Sequence, residues 1–183
     1  MHAHLGHVSQ SRHARRAGIG ATLLLSYLLA AAAGSAEAAT RGPSTQEERD
    51  KVVRLAATLE AQPWSEEAPA NRQWILTFLS EAPDLTVKRC LSLFGGPAER
   101  AAIRPELLDQ QLYSGAAYNF QHPDENPGST GSFVAGLQGA LNAYSAWRAH
   151  GGIDAVPLLD ELVRLQKAGE LERYVRERGR NCR

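Results

Sequence analysis

Two histidines and two carboxylates beyond the first 38 residues are of types that hold a divalent ion or activate a water molecule. His122, Asp124 and Glu125 lie together in "HPDENPGSTG", residues 122–131, and His150 follows near the end of the next predicted helix. Imidazole nitrogens and carboxylate oxygens are common zinc ligands. Their spacing matches no ligand motif, and a histidine near a helix C-terminus is also favoured by the helix dipole. A metal-assisted hydrolase built on this loop therefore stays open as an alternative.

Other catalytic patterns are not supported. The serines beyond residue 38 show no Gly-x-Ser-x-Gly pattern, and "GSTGS" at residues 128–132 lacks the lysine that a phosphate-binding loop requires. We therefore assign no catalytic residue, no bound metal and no cofactor, and the sequence favours a protein that is not an enzyme.

The first 38 residues are typical of a cleavable secretory signal. Three arginines precede an apolar run at residues 19–33, and Ala36-Glu37-Ala38 follows as a cleavage box. The competing interpretation is a membrane anchor, but the run has about fifteen residues and a spanning helix needs about 20. We expect export to the periplasm or the medium, with one domain at residues 39–183.

Cys90 and Cys182 are the two cysteines of the chain. In an oxidising compartment two cysteines usually pair, which predicts a disulfide here. Such a bond would close a loop of about ninety residues and contribute about 4 kcal/mol in the chain-entropy model. The alternative is a buried thiol at Cys90 and a free one at Cys182.

The charge balance excludes two classes of partner. The chain has 20 basic and 20 acidic residues, and removal of the signal leaves a net charge near minus two. A nucleic-acid-binding domain or a membrane-surface domain would show an excess of basic residues. We expect an unknown protein or small ligand as partner, no nucleic acid, and no membrane after signal cleavage.

Apolar residues recur at helical spacing throughout, so the sequence predicts an all-α fold, a bundle or short stack of six to seven antiparallel helices. Thr45 and Glu48 form a capping box at the start of the first helix. The second helix ends near Pro83. The third should begin at Asp84 or Thr86, present Val87, Cys90, Leu91 and Phe94 on one face, and end at Gly95. The remaining predicted starts are near Pro105, at Ser132, at an Asp154 cap, and after Gly169.

The helix at residues 132–150 carries the most information. It places large apolar residues on one face, small residues beside them, and a narrow polar strip opposite. The three sets are Phe133, Leu137, Ala140, Leu141, Tyr144 and Trp147; Gly136, Gly139, Ala143 and Ala146; and Gln138, Asn142, Ser145 and Ala149. This pattern predicts a central helix with a neighbouring backbone close to its glycines. A groove between it and its neighbours would also suit a carrier of a small apolar ligand.

Two segments, "WILTFLSEAPDLTVKRC" at 74–90 and "LLDELVRLQKAGELERYVRERGRNC" at 158–182, resemble exported bacterial all-helical proteins that have no assigned activity. The resemblance implies the same compartment and fold and transfers no functional residue. The sequence thus favours a non-enzymatic binding, structural or stress-related factor of the cell envelope.

Overall fold

The chain is organised around one long helix, α5, as its residue pattern predicts. The computed structural model describes residues 41–182, which contain seven α-helices, two 3-10 helices and no strand. The α-helices are α1 (Gln46–Ala61), α2 (Ala68–Glu81), α3 (Pro97–Ala101), α4 (Pro105–Gln121), α5 (Thr130–His150), α6 (Pro157–Lys167) and α7 (Leu171–Arg178). The all-α prediction is confirmed. The predicted signal at residues 1–38 lies outside the described residues and stays a prediction.

The start of α1 is fixed by the predicted capping box. The Thr45 hydroxyl accepts a hydrogen bond from the Glu48 backbone N–H at 3.2 Å, and the Glu48 carboxylate accepts one from the Thr45 N–H at 2.8 Å. Each bond satisfies a backbone donor that the first helical turn leaves without a partner. On the other side of the helix Val52, Ala56 and Leu59 are buried, so the cap and the apolar spacing act together.

The predicted third helix is wrong. Residues 85–90 have no regular structure, and only Leu91–Phe94 form a 3-10 helix. Asp84 does not cap a helix, because its carboxylate accepts hydrogen bonds from the Ser44 N–H and hydroxyl, each at 2.7 Å. The following β-branched pair, Thr86 and Val87, also has low helix propensity.

The start of α6 differs from the prediction too. The helix begins at Pro157 instead of after an Asp154 cap, and the side chain of its N-cap residue, Val156, makes no capping hydrogen bond. The Tyr144 hydroxyl accepts a hydrogen bond from the Val156 N–H at 2.9 Å and donates one to Asp160 at 2.6 Å. A side chain from α5 therefore fixes the start of α6, which is a tertiary contact.

Helices α4 and α5 pack closely and run antiparallel, since Gln111 lies beside Gly136 and Tyr118 beside Gly131. A Cβ added to Gly136 would lie 2.5 Å from the Gln111 carbonyl oxygen. Only glycine permits this approach, and the predicted close packing is confirmed. The start of α5 lies two residues earlier than predicted, with the Ser129 side chain as its cap.

Two apolar cores lie on either side of this helix pair. The first joins the large apolar face of α5 to α6, α7 and the 3-10 helix at residues 91–94. The second joins α1, α2 and α4. The predicted polar strip of α5 is exposed at all four positions. Within residues 41–182 no helix is long and apolar enough to cross a bilayer.

A disulfide links Cys90 to Cys182, with the two Cα atoms 5.3 Å apart. It attaches the end of α7 and the following 3-10 helix to the segment before residues 91–94. Tyr174 makes a second attachment, because its hydroxyl donates to the Leu93 carbonyl at 2.9 Å. The predicted pairing is confirmed, and the highly charged last helix is docked both covalently and by packing.

Candidate ligand-binding groove

A concave surface lies where α1, α4 and α5 meet. It encloses about 250 Å³ and is referred to here as the Glu60 groove. Its lining is mostly small aliphatic and uncharged polar side chains: Val53, Ala56, Ala57, Glu60, Ser114, Ala117, Tyr118, Gln121, Ala135, Gln138, Gly139 and Asn142. Glu60 is the one ionised side chain among them.

Two neighbouring helices hold the Glu60 carboxylate in place. The Ser114 hydroxyl of α4 donates a hydrogen bond to Oε1 at 2.6 Å, and the Asn142 amide of α5 donates one to Oε2 at 2.9 Å. Hydrogen bonds from two directions fix the carboxylate better than one contact does, because both oxygens are positioned. Each carboxylate oxygen has a further lone pair with which it accepts another donor.

Side-chain amides extend this network on both sides. The Gln110 side chain is 2% exposed and donates to the Ser114 hydroxyl at 3.0 Å and to the Ala56 carbonyl at 3.1 Å. On the other side, Gln166 of α6 donates to the Asn142 side-chain oxygen at 2.9 Å. The network therefore connects α1, α4, α5 and α6, and the groove has a rigid base.

Glycine at position 139 is required by this arrangement. A Cβ there would lie 2.5 Å from the Glu60 Oε1 atom and in collision with the Ser114 hydroxyl oxygen. The predicted small-residue stripe of α5 thus has two roles, since Gly136 admits the backbone of α4 and Gly139 admits polar side chains.

A second hollow of about 340 Å³ adjoins the groove and shares Tyr118, Ala135 and Gln138 with it. Its other lining residues are Thr130, Gly131, Val134 and Glu172. The two hollows therefore lie side by side along α5.

Two of the predicted loop residues, His122 and Glu125, contact Tyr118 near the end of α4. Glu125 accepts hydrogen bonds from the Tyr118 hydroxyl and the Ser129 hydroxyl, each at 2.8 Å. The bond from Tyr118 is the main reason that the pKa of Glu125 is lowered, and the same bond raises the pKa of Tyr118. The His122 ring stacks on Tyr118 with centroids 3.9 Å apart. Asp124 is exposed.

His150 lies far from that loop. Helix α5 has 21 residues and rises about 1.5 Å per residue, which places its two ends about 30 Å apart. The His150 ring instead stacks on Trp64 with centroids 4.2 Å apart. The four proposed metal ligands are not brought together, and residues 41–182 contain no cluster of three or more His, Cys, Asp or Glu arranged to hold a metal ion.

The aromatic side chains belong mostly to the cores. Tyr113, Tyr144 and Trp147 are buried, whereas Trp64 is 38% exposed. The Lys51 ammonium lies over the Trp74 ring, 3.9 Å from its centroid. Packing therefore accounts for the aromatic residues of α5, and Tyr118 of α4 is the one aromatic side chain that lines the groove.

Sequence reasoning missed Glu60. One signal was present, because Glu60 lies in the last turn of α1, where the helix dipole disfavours a negative charge. The contacts with Ser114 and Asn142 join positions 54 and 82 residues away along the chain, and no local pattern indicates them.

Fold and groove together define a class: a disulfide-linked all-helical domain with a small, polar, singly charged groove between three helices. Comparison with protein-family models, with curated proteins and with solved structures finds no match for the chain.

Proposed function

We propose that this protein is an exported, non-enzymatic binding domain that takes a small ligand in the Glu60 groove. The observation that carries the proposal is the Glu60 carboxylate, which is held by side chains from two other helices at the base of a concave surface. Binding sites typically combine a concave shape with a few fixed polar groups, and they often lie between helices of a bundle. Export is supported by the N-terminal residue pattern and is compatible with the disulfide, which persists in oxidising compartments.

A blocking substitution tests the binding function without altering charge. Ala57 lines the groove and is exposed, so Ala57→Trp should fill the groove while leaving the core intact. Ala149→Trp is the matched control, because Ala149 is an exposed helical alanine outside the groove. The assay is a thermal-shift screen against small molecules grouped by charge and polarity. A ligand that binds only the native state raises the unfolding temperature.

We expect ligands that stabilise the native protein and the Ala149→Trp variant but not Ala57→Trp. Stabilisation of both tryptophan variants to the same extent would place the binding site elsewhere. A screen with no stabilising ligand in any chemical class would contradict the binding function itself.

A further inference from the structure

Glu60 is one of the acids of residues 41–182 that form no ion pair. Seven ion pairs are formed within residues 41–182, and none of them includes Glu60. Both of its hydrogen-bond partners, Ser114 and Asn142, are neutral. A partly buried carboxylate whose partners are all neutral retains a negative potential in the groove.

The position of Glu60 on α1 strengthens that potential. The residue lies one position before the end of the helix at Ala61, and the last turn contains no basic residue. The C-terminal end of a helix carries a partial negative charge and favours cations. The Glu60 carboxylate and the C-terminal end of α1 therefore both contribute a negative potential to the groove.

We propose that the Glu60 groove binds the cationic ammonium group of a small alkylamine ligand, with Glu60 as its counter-ion. This inference rests on the proposed binding function and specifies its ligand class. An ammonium group has three donors. One would reach the lone pairs of Glu60, and Gln121 and Gln138, which line the same groove, each have a side-chain oxygen as a further acceptor. Val53, Ala57 and Ala135 supply apolar walls for a short alkyl chain.

Two competing occupants fit less well. A calcium ion needs six to eight oxygen ligands, and the groove supplies one carboxylate. A protein partner typically contacts about 20–30 residues per side, whereas twelve residues line this groove. Its volume of about 250 Å³ also lies below the roughly 300–1,000 Å³ of drug-sized sites. Size and charge together favour a compact monovalent organic cation.

The test is a titration of the ¹⁵N-labelled protein followed by amide chemical shifts. The probes are n-butylammonium, the neutral n-butanol and the anionic butyrate, each of which has four carbon atoms in an unbranched chain. We expect saturable shifts with butylammonium, confined to amides of α1, α4 and α5 around the groove, and no saturable shifts with the other two. A peptide with one lysine is a fourth probe.

Glu60→Gln keeps the size of the side chain and removes its charge, and we expect it to weaken butylammonium binding at least tenfold. Glu81→Gln is the matched control, since Glu81 is an exposed acid at the end of α2 and should leave the affinity unchanged. Should Glu60→Gln fail to fold, Ala57→Trp provides a charge-neutral variant that must also abolish the shifts.

Each of the remaining outcomes would contradict one part of the proposal. Groove shifts with butanol or butyrate would leave the binding function in place and overturn the choice of an ammonium ligand. Equal affinity in the native protein and Glu60→Gln would overturn Glu60 as counter-ion. Binding of the lysine peptide without binding of butylammonium would replace the small ligand by a protein partner.

Discussion

Replacing Gly136 with alanine places a methyl group against the backbone of α4. The added Cβ would lie 2.5 Å from the Gln111 carbonyl oxygen and 3.1 Å from the Gln111 Cγ atom. A backbone oxygen within a helix cannot rotate away, so the two helices must separate. Such overpacking costs about 3 kcal/mol, and the higher helix propensity of alanine offsets about 1 kcal/mol of it. The net destabilisation should be about 2 kcal/mol.

The same helix pair contains a matched control. A Cβ added to Gly115 would lie 3.4 Å from the Ser132 carbonyl oxygen, which is ordinary contact. Gly115→Ala should therefore be neutral or stabilise the protein by up to about 1 kcal/mol through helix propensity. The two variants replace the same kind of residue in the same interface, and only Gly136→Ala should lower the stability.

Urea unfolding followed by circular dichroism measures both changes. A loss of about 2 kcal/mol corresponds to a fall of about 4–8 °C in Tm for a domain of this size. We expect Gly136→Ala to unfold at lower urea with an unchanged slope against denaturant. A Gly136→Ala protein as stable as Gly115→Ala would refute the close approach of α4 and α5.

Three further changes test other contacts of the fold. Cys182→Ser should lower the free energy of unfolding by about 4 kcal/mol, as measured by urea unfolding without reductant. An unchanged free energy of unfolding would mean that the disulfide does not constrain the unfolded chain. Tyr144→Phe should lower the free energy of unfolding by about 1–2 kcal/mol in the same assay, because it removes the hydrogen bond to Asp160 and the one from the Val156 N–H. A neutral effect would contradict the role of Tyr144 in fixing the start of α6. Hydrogen bonds from the side chain and backbone of Ser44 lower the pKa of Asp84 from 3.8 to about 2. The stabilisation that the ionised Asp84 carboxylate gives the fold is therefore present above about pH 4 and is lost as the pH falls through about 2. Asp84→Asn should remove that part of the acid dependence of Tm, and an identical pH profile would contradict the contact.

The central location of α5 could be predicted from sequence because the residue type at each position indicates whether that position is buried or exposed. Large apolar residues, small residues and exposed positions recur at helical spacing along α5, and the structure buries or exposes them accordingly. The glycines were informative for the same reason. Gly136 and Gly139 lower helix propensity, and close packing is the compensating gain.

The segment after α2 could not be predicted by the same rule. Val87 and Cys90 have helical spacing, but the partners that hold the segment are distant in sequence. Asp84 binds Ser44, and the Gln111 side chain donates to the Cys90 carbonyl at 3.0 Å. These contacts replace the hydrogen bonds that a helix would supply, so tertiary structure overrides local spacing.

The groove was beyond sequence reasoning for a related reason. Histidines and clustered carboxylates indicate metal or catalytic sites in a sequence, whereas the proposed site has one carboxylate among neutral side chains. Its components come from α1, α4 and α5, and their meeting depends on how the helices cross. Residues 122–129 form the polar connection between α4 and α5, shorter by two residues than the predicted loop at 122–131. Its Glu125 forms hydrogen bonds with Tyr118 and Ser129 instead of joining His150 around a metal ion.

The central claim is that this is an exported domain whose C-terminal end is covalently attached to its middle. Its most direct test is the intact mass of the protein isolated without reductant from the cells that produce it. We expect a chain that begins at residue 39 or 40, is two hydrogens lighter than its dithiol form, and gains them on reduction. A chain that retains residues 1–38, or one that carries two free thiols before reduction, would contradict the claim.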